Sequence, residues 1–228
     1  MVDIFVCGRA QVWHNTAKLT PAQIKAKTGC THIINGYLFN SKFQPVGWTV
    51  IDGTIISRDA YRDWGVSIGS DGRPQMLTDR GGSFLSGVPL LKSGARLERN
   101  LTPDVARRAA RTAVGWMPDG RVCLWCDKTA LTREQLQEKL LGLGVSDALM
   151  LDGGGSTQGI FPKGKVSSSR KMPTLLLFWE KKEEPAKEPA MEWAADNGVL
   201  TAVQLAEPER AVTRRELAEV LYRCRKQT

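Results

Sequence analysis

No stretch of the 228-residue chain approaches the roughly 20 consecutive apolar residues that a helix needs to cross a bilayer, so no membrane span is expected. Met1-Val2-Asp3-Ile4-Phe5-Val6 has no basic region ahead of an apolar core, which predicts no signal peptide and a cytoplasmic location as synthesised. Histidine is scarce, and the two present, His14 and His32, lack metal-ligand spacing. The five cysteines are an odd set with no disulfide-framework spacing. Cys123 and Cys126 form a C-x-x-C inside a strand-like run, where residues three apart face opposite sides, and no second C-x-x-C completes a zinc site. The sequence therefore indicates no cofactor. A metal requirement stays unknown, since aspartates and glycine carbonyls can hold calcium without any loop signature. Nucleic-acid reading motifs are missing as well, and the basic residues are spread rather than clustered, so nucleic acid is not expected as a partner.

What the chain has is a net charge of +8, which favours an anionic small molecule or glycan: a phosphate ester or a teichoic-acid-like polymer. Thr20-Pro21-Ala22-Gln23 and Thr132-Arg133-Glu134-Gln135 each set a capping threonine three residues ahead of a glutamine. They predict helices stopping by Gly29 and around Gly142 and Gly144, the second with Leu136, Leu140 and Leu143 on one stripe. Strands are predicted at 2–7, from Thr31 toward Asn40, and at 174–179. Asp-Gly pairs at 52–53, 71–72 and 119–120 mark hairpin turns between apolar segments. Strands in runs argue for an α+β fold: a mixed, mostly antiparallel sheet with a few packed helices over 1–180. The charged, proline-bearing stretch 181–189 reads as a linker, and 190–228 as a small helical appendage with helices at 190–197 and 214–225. Thr213 and Glu216 cap the second of these.

The stretch around which the chemistry gathers is Asp152-Gly153-Gly154-Gly155-Ser156-Thr157. Three adjacent glycines lose much backbone entropy on ordering, so the chain there either turns with positive φ or admits a ligand against its peptide groups. Successive N–H groups in such a turn make an anion-binding nest. A tight hairpin between two strands is the plainer reading. A nucleotide-hydrolase phosphate loop would need a lysine directly after the glycines, and none occurs before Lys163. A dinucleotide fingerprint would need a helix where a strand is expected.

Asn35-Gly36-Tyr37-Leu38-Phe39, Pro45-Val46-Gly47, Arg111-Thr112-Ala113-Val114-Gly115, Cys126-Asp127 and the Leu151-to-Thr157 block follow one another at characteristic spacings. In order and approximate spacing they resemble the phosphodiester glycosidase family, over roughly residues 1–180. The family usually shows Asn-Gly-Gly-Phe-Phe where this chain has Asn35-Gly36-Tyr37-Leu38-Phe39. The resemblance implies a hydrolase that removes a sugar from a glycosyl phosphodiester and leaves a phosphomonoester. The substrate would contain N-acetylglucosamine or belong to a cell-envelope polymer.

The residues suit that reaction on their own chemistry. Phosphomonoester is already a good leaving group, so the work is to hold phosphate and to stabilise a sugar gaining positive charge. Arg111 is expected to clamp the phosphate bidentately. The amides of Gly153, Gly154 and Gly155 with the hydroxyls of Ser156 and Thr157 would complete the cradle. Asp152 is the leading carboxylate for the anomeric centre or its attacking water, with Asp127 second. Asn35 would orient a sugar hydroxyl, with Gly36 and Thr112 beside it. Plainer roles stand against each: Asp152 and Asp127 as turn caps, Arg111 on a solvated face, Asn35-Gly36 as a turn dipeptide. A non-catalytic binder of phosphorylated sugars or nucleotides, using the same cradle, is the alternative function.

In the tail, Trp193-Ala194-Ala195-Asp196-Asn197-Gly198-Val199 and Val212-Thr213-Arg214-Arg215-Glu216-Leu217-Ala218 resemble a single S-layer-homology motif. That resemblance implies contact with a bacterial cell wall, reached after phage lysis or release. The plainer reading packs Trp193, Leu217 and Leu221 against the main domain.

Overall fold

The computed structural model describes residues 1–58, 64–78, 82–98 and 101–181, together with 213, 216, 218–220 and 222. The chain divides into two compact units, Met1–Lys181 and Lys182–Thr228. The first unit begins with β1 (Val2–Phe5), β2 (Cys7–His14), α1 (Pro21–Thr28) and β3 (His32–Asn35). Short strands follow: β4 (Thr49–Ile51), β5 (Thr54–Ser57), β6 (Gly65–Ile68), β7 (Pro74–Leu77), β8 (Ser83–Ser86), β9 (Val88–Lys92) and β10 (Ala95–Arg96). Next come α2 (Pro103–Ala106), β11 (Ala109–Trp116), β12 (Val122–Leu131), α3 (Arg133–Gly142) and β13 (Asp147–Met150). The unit closes with β14 (Gly159–Phe161), β15 (Gly164–Val166) and β16 (Thr174–Glu180).

These strands make a six-stranded sheet ordered β1-β12-β11-β13-β9-β10 and two five-stranded sheets, β15-β14-β3-β16-β2 and β5-β4-β8-β6-β7. Every ladder among the described residues is antiparallel, so the mixed component expected from the sequence is absent there. The fold is α+β with sheet dominant. The single opening strand predicted at 2–7 is two strands. The chain leaves the six-stranded sheet at Val6 and enters a five-stranded one, with the Val6 carbonyl accepting from Lys181 N–H at 2.8 Å.

Both predicted capping boxes form, at Thr20 with Gln23 and at Thr132 with Gln135. Leu136 and Leu140 of α3 are fully buried, whereas Leu143 falls beyond the last helical turn and is 37% exposed. Strand β16 is buried on both faces. Leu176 and Phe178 enter the main core, while Leu175 and Leu177 join Ile24 of α1, Cys30 and Ile33 in a second cluster on the other side. That two-faced burial explains why Thr174-Leu175-Leu176-Leu177-Phe178 reads as a continuous apolar run rather than an alternating one. It fixes β3, the neighbour of β16, whose last residue is Asn35.

In the second unit Thr213 and Glu216 cap each other reciprocally: Glu216 N–H donates to Thr213 Oγ1 at 3.3 Å and Thr213 N–H to Glu216 Oε2 at 2.8 Å. Residues 216, 218–220 and 222 are helical. The expected linker beyond Lys181, the helix at 190–197, and Trp193, Leu217 and Leu221 of the S-layer-like pattern lie outside the described residues.

Candidate active site

The glycine corner is built against the protein before it can be built against a ligand. Strand β13 ends at Met150, and the next two amides keep to neighbouring backbone: Leu151 N–H donates to Thr112 O at 2.9 Å and Asp152 N–H to Gly36 O at 3.2 Å. Gly153 then lies so close to β11 that a Cβ there would sit 2.6 Å from the Ala110 carbonyl oxygen. Gly154 has φ +59°, which L side chains rarely adopt, and opens a 3-10 turn over Gly154–Ser156. Gly155 faces a side chain rather than backbone, its Cβ position 3.4 Å from the Arg170 guanidinium. Close approach to a neighbouring strand, a left-handed turn and an open wall thus account for the three glycines in turn.

Asn35, fully buried, ties this corner to the rest of the molecule. Its Nδ2 donates to Asp152 O at 2.8 Å and to Gly36 O at 3.0 Å. Its Oδ1 accepts from Thr112 Oγ1 at 2.7 Å and from Gln158 N–H at 3.0 Å. The amide is saturated, so Asn35 and Thr112 stand behind the loop and hold it rather than face a sugar hydroxyl. Gly36 is required by close approach, because a Cβ there would lie 2.6 Å from Thr174 O. Thr157 is fully buried and its Oγ1 has no hydrogen-bond partner among the described residues. Ser156, equally buried, is bonded through its hydroxyl to Asp152 and accepts from Arg170 Nη1 at 3.1 Å.

In front of the loop is a cleft of about 160 Å³ walled by Gly153, Gly154 and Gly155, with Asp152, Arg107 and Arg170 at its polar edge and Leu38, Val88 and Met150 among its apolar lining. Asp152 is the only carboxylate among the described lining residues. Its N-terminal turn chemistry is real: Oδ1 accepts from Gly153 N–H at 2.8 Å. Burial nonetheless pushes its pKa above the ordinary 3.8, against the opposing pull of Ser156, the Gly153 amide and the Arg170 charge.

Arg111 reaches the back of this cleft but is only 3% exposed. Its Nε donates to Leu131 O at 3.0 Å, Nη1 to Val105 O at 3.2 Å, and Nη2 to Arg107 O. A guanidinium turned onto three main-chain carbonyls holds the turn that carries Arg107 and is not directed at an anion. Asp127 sits opposite Arg111 in the β11–β12 ladder yet outside the cleft lining. Its carboxylate accepts from the Met1 ammonium at 2.7 Å and from Thr129 N–H at 2.7 Å, and the ammonium contact is the main reason its pKa drops to about 2.

The structure therefore gathers Asp152 and the three glycines at one cleft with Arg111 at its back, sets Asn35, Gly36, Thr112, Ser156 and Thr157 behind it, and leaves Asp127 apart. Arg107 and Arg170 are the side chains that sequence reasoning passed over. Arg107 reads as one of several surface arginines. Arg170 lies in the polar run Ser167-Ser168-Ser169-Arg170-Lys171, with nothing to mark it. That run is strapped onto the glycine corner by Ser168 Oγ donating to Gly155 O at 2.6 Å and Gln158 Nε2 donating to Arg170 O at 2.8 Å. No group of three or more metal-ligating side chains occurs among the described residues.

The phosphodiester glycosidase family model matches residues 28–179, and the chain belongs to that family. It is accordingly an enzyme, a glycosidase of the sugar–phosphate bond. Fourteen chains of solved structures match. The zebrafish N-acetylglucosamine-1-phosphodiester α-N-acetylglucosaminidase catalytic domain, auto-inhibited by its pro-peptide, is 22% identical, with 76% of this chain and 73% of that chain covered at a TM-score of 0.61. A hypothetical protein from Synechocystis is 11% identical at a TM-score of 0.62, with 79% of this chain covering 57% of its length. At these identities the structural matches speak for the fold. No curated protein matches the chain. The family match ends at residue 179, so the S-layer-like tail gains no support from it.

Proposed function

We propose that this enzyme hydrolyses a glycosyl phosphodiester in the Asp152 cleft, with the scissile phosphate between Arg107 and Arg170 and the anomeric carbon over Asp152. The observation that carries the reading is a lone carboxylate with raised pKa facing two guanidiniums across a wall of glycine backbone. Ordinary glycosidases divide acid and base between two carboxylates. A departing phosphomonoester needs no proton to leave, so one carboxylate suffices. Arg107 and Arg170 neutralise the charge that collects on the phosphate as the bond to the anomeric carbon breaks. Absence of a Cβ at Gly154 lets a phosphate oxygen approach its amide. Ionised Asp152 takes a proton from the water that attacks the anomeric carbon, and the electron pair of the broken C–O bond stays with the phosphate. The products are a free sugar and a phosphomonoester.

Arg111 and Asn35 act here as positioning residues, the first through Arg107 and the second through the Asp152 main chain, and Asp127 takes no part. A methyl phosphodiester of N-acetylglucosamine-1-phosphate is the substrate to try first, because the zebrafish fold neighbour is named for that linkage. The test is release of free sugar by the wild type and its loss in Asp152→Asn with the circular dichroism spectrum unchanged. Undiminished release by the variant would remove Asp152 from the chemistry.

A further inference from the structure

The catalytic cleft does not end at Asp152. A second recess of about 590 Å³ shares Leu38, Asp152 and Arg170 with it and adds Lys18, Phe43 and Lys171. A third, about 490 Å³, shares Asn40 and Phe43 with the second and runs on to His14, Ile56 and Ser57. The three form one trough. Along it, the described lining residues carry five cations against the single carboxylate of Asp152: Arg107, Arg170, Lys171 and Lys18, together with Arg111, whose guanidinium is turned onto main-chain carbonyls at the back.

The middle of the trough is built rather than incidental. Lys18 and Phe43 both have positive φ, +52° and +62°, a conformation that costs a bulky L residue free energy and persists only where neighbours hold it. Asn40 does so on one side, its Oδ1 accepting from Lys42 N–H at 2.9 Å and Gln44 N–H at 3.1 Å. On the other, Lys18 N–H donates to Asn15 O at 3.1 Å. The outcome is that Lys18 Nζ stands 5.1 Å over the Phe43 ring, with Phe39 packed edgewise against that ring at 5.9 Å. Two strained backbones thus set a cation and an aromatic face on the path leading away from the site of cleavage.

We propose that this trough binds an extended phosphodiester chain, so that the enzyme's preferred substrate is a sugar attached through an anomeric phosphate to a polyol-phosphate or sugar-phosphate polymer, with the polymer's further phosphates on Lys171 and Lys18. The proposal rests on the reaction assigned above and specifies its leaving group. The reaction itself draws on the lining of the first recess and makes no use of Lys18, Phe43 or Lys171 in the larger ones. A nucleic acid strand would match the charge but has no anomeric phosphate to cut.

The test uses the full chain and two readouts. First, kcat/KM is compared between the methyl phosphodiester and a series of poly(glycerol phosphate) oligomers of increasing length ending in the same sugar-1-phosphate. Second, binding of a fluorescent poly(glycerol phosphate) oligomer without sugar is measured by anisotropy, which needs no turnover. The wild type should favour longer oligomers, more steeply at low ionic strength. Lys18→Ser with Lys171→Ser should abolish that length preference and weaken oligomer binding roughly tenfold or more, as loss of charge-assisted contacts does. Lys165→Ser, which lines none of the three recesses, removes a positive charge elsewhere and controls for net charge. If neither substrate turns over yet the oligomer binds through Lys18 and Lys171, the reaction assignment fails and the trough stands. Oligomer binding indifferent to the double variant, no length preference, or tighter binding of a single-stranded oligodeoxynucleotide than of the oligomer overturns the trough.

Discussion

Asp152 is the residue on which the chemistry turns, and its environment sets a measurable pH signature. Its pKa is raised chiefly by burial and held down in part by the Arg170 charge. Since the ionised form is the active one, the acidic limb of kcat/KM should lie above the ordinary carboxylate value of 3.8, and Arg170→Gln should move it further up. A limb that stays put or moves down in that variant contradicts the pairing. Asp152→Asn should reduce kcat/KM by about 10²–10⁴-fold, the usual worth of a general base, with stability retained. Arg111 has a different signature. Removing a buried guanidinium that ties down three carbonyls should destabilise the fold by about 3 kcal/mol in Arg111→Met, seen as a lowered urea midpoint. A variant of full stability that has merely lost substrate affinity would restore the phosphate clamp expected from the sequence. That expectation was reasonable, because a sequence shows an arginine near a glycine block but not which way it points. Asn35 teaches the same lesson: its amide is filled by partners 77 and 123 residues away in the chain.

At the scale of elements, the glycine corner separates two kinds of constraint that look alike in the sequence. Gly153→Ala sets a methyl 2.6 Å from the Ala110 carbonyl and must lift the loop from β11, whereas Gly155→Ala meets only the end of the Arg170 side chain at 3.4 Å. Displacement of Asp152 by about an ångström is worth about 10² in rate, so Gly153→Ala should lose that much kcat while Gly155→Ala keeps most of it. Comparable losses in both would mean that the ligand, not β11, demands the glycines. Helices α1 and α3 were legible because threonine caps and reciprocal glutamines are local devices, complete within four residues. Strand β2 was not, since Cys7-Gly8-Arg9-Ala10-Gln11 lacks an apolar alternation and is a strand only because β16 lies beside it. The segment bearing Arg170 was equally opaque, for its attachments to Gly155 and Gln158 exist only after folding.

At the scale of the first unit, a buried imidazole that catalysis does not use ties pH to stability. His32 is fully buried, stacked on Phe5 at 3.9 Å and bonded to Asp3 Oδ2 at 3.1 Å, and burial lowers its pKa below the ordinary 6.5 in spite of Asp3. The unfolded chain then takes up a proton more readily than the folded one, so stability should fall as pH drops below about 6.5. Urea midpoints between pH 7 and 5 would show this slope, and His32→Phe, which preserves the stack, should flatten it. An unchanged slope would assign the pH dependence to other groups.

The central claim is that water attacks the sugar and not the phosphorus. Hydrolysis of a glycosyl phosphodiester in oxygen-18 water, read by mass spectrometry of both products, tests it directly. The account predicts the label on the anomeric oxygen of the released sugar and none on the phosphomonoester; label on the phosphate would make this cleft a phosphodiesterase site and contradict it.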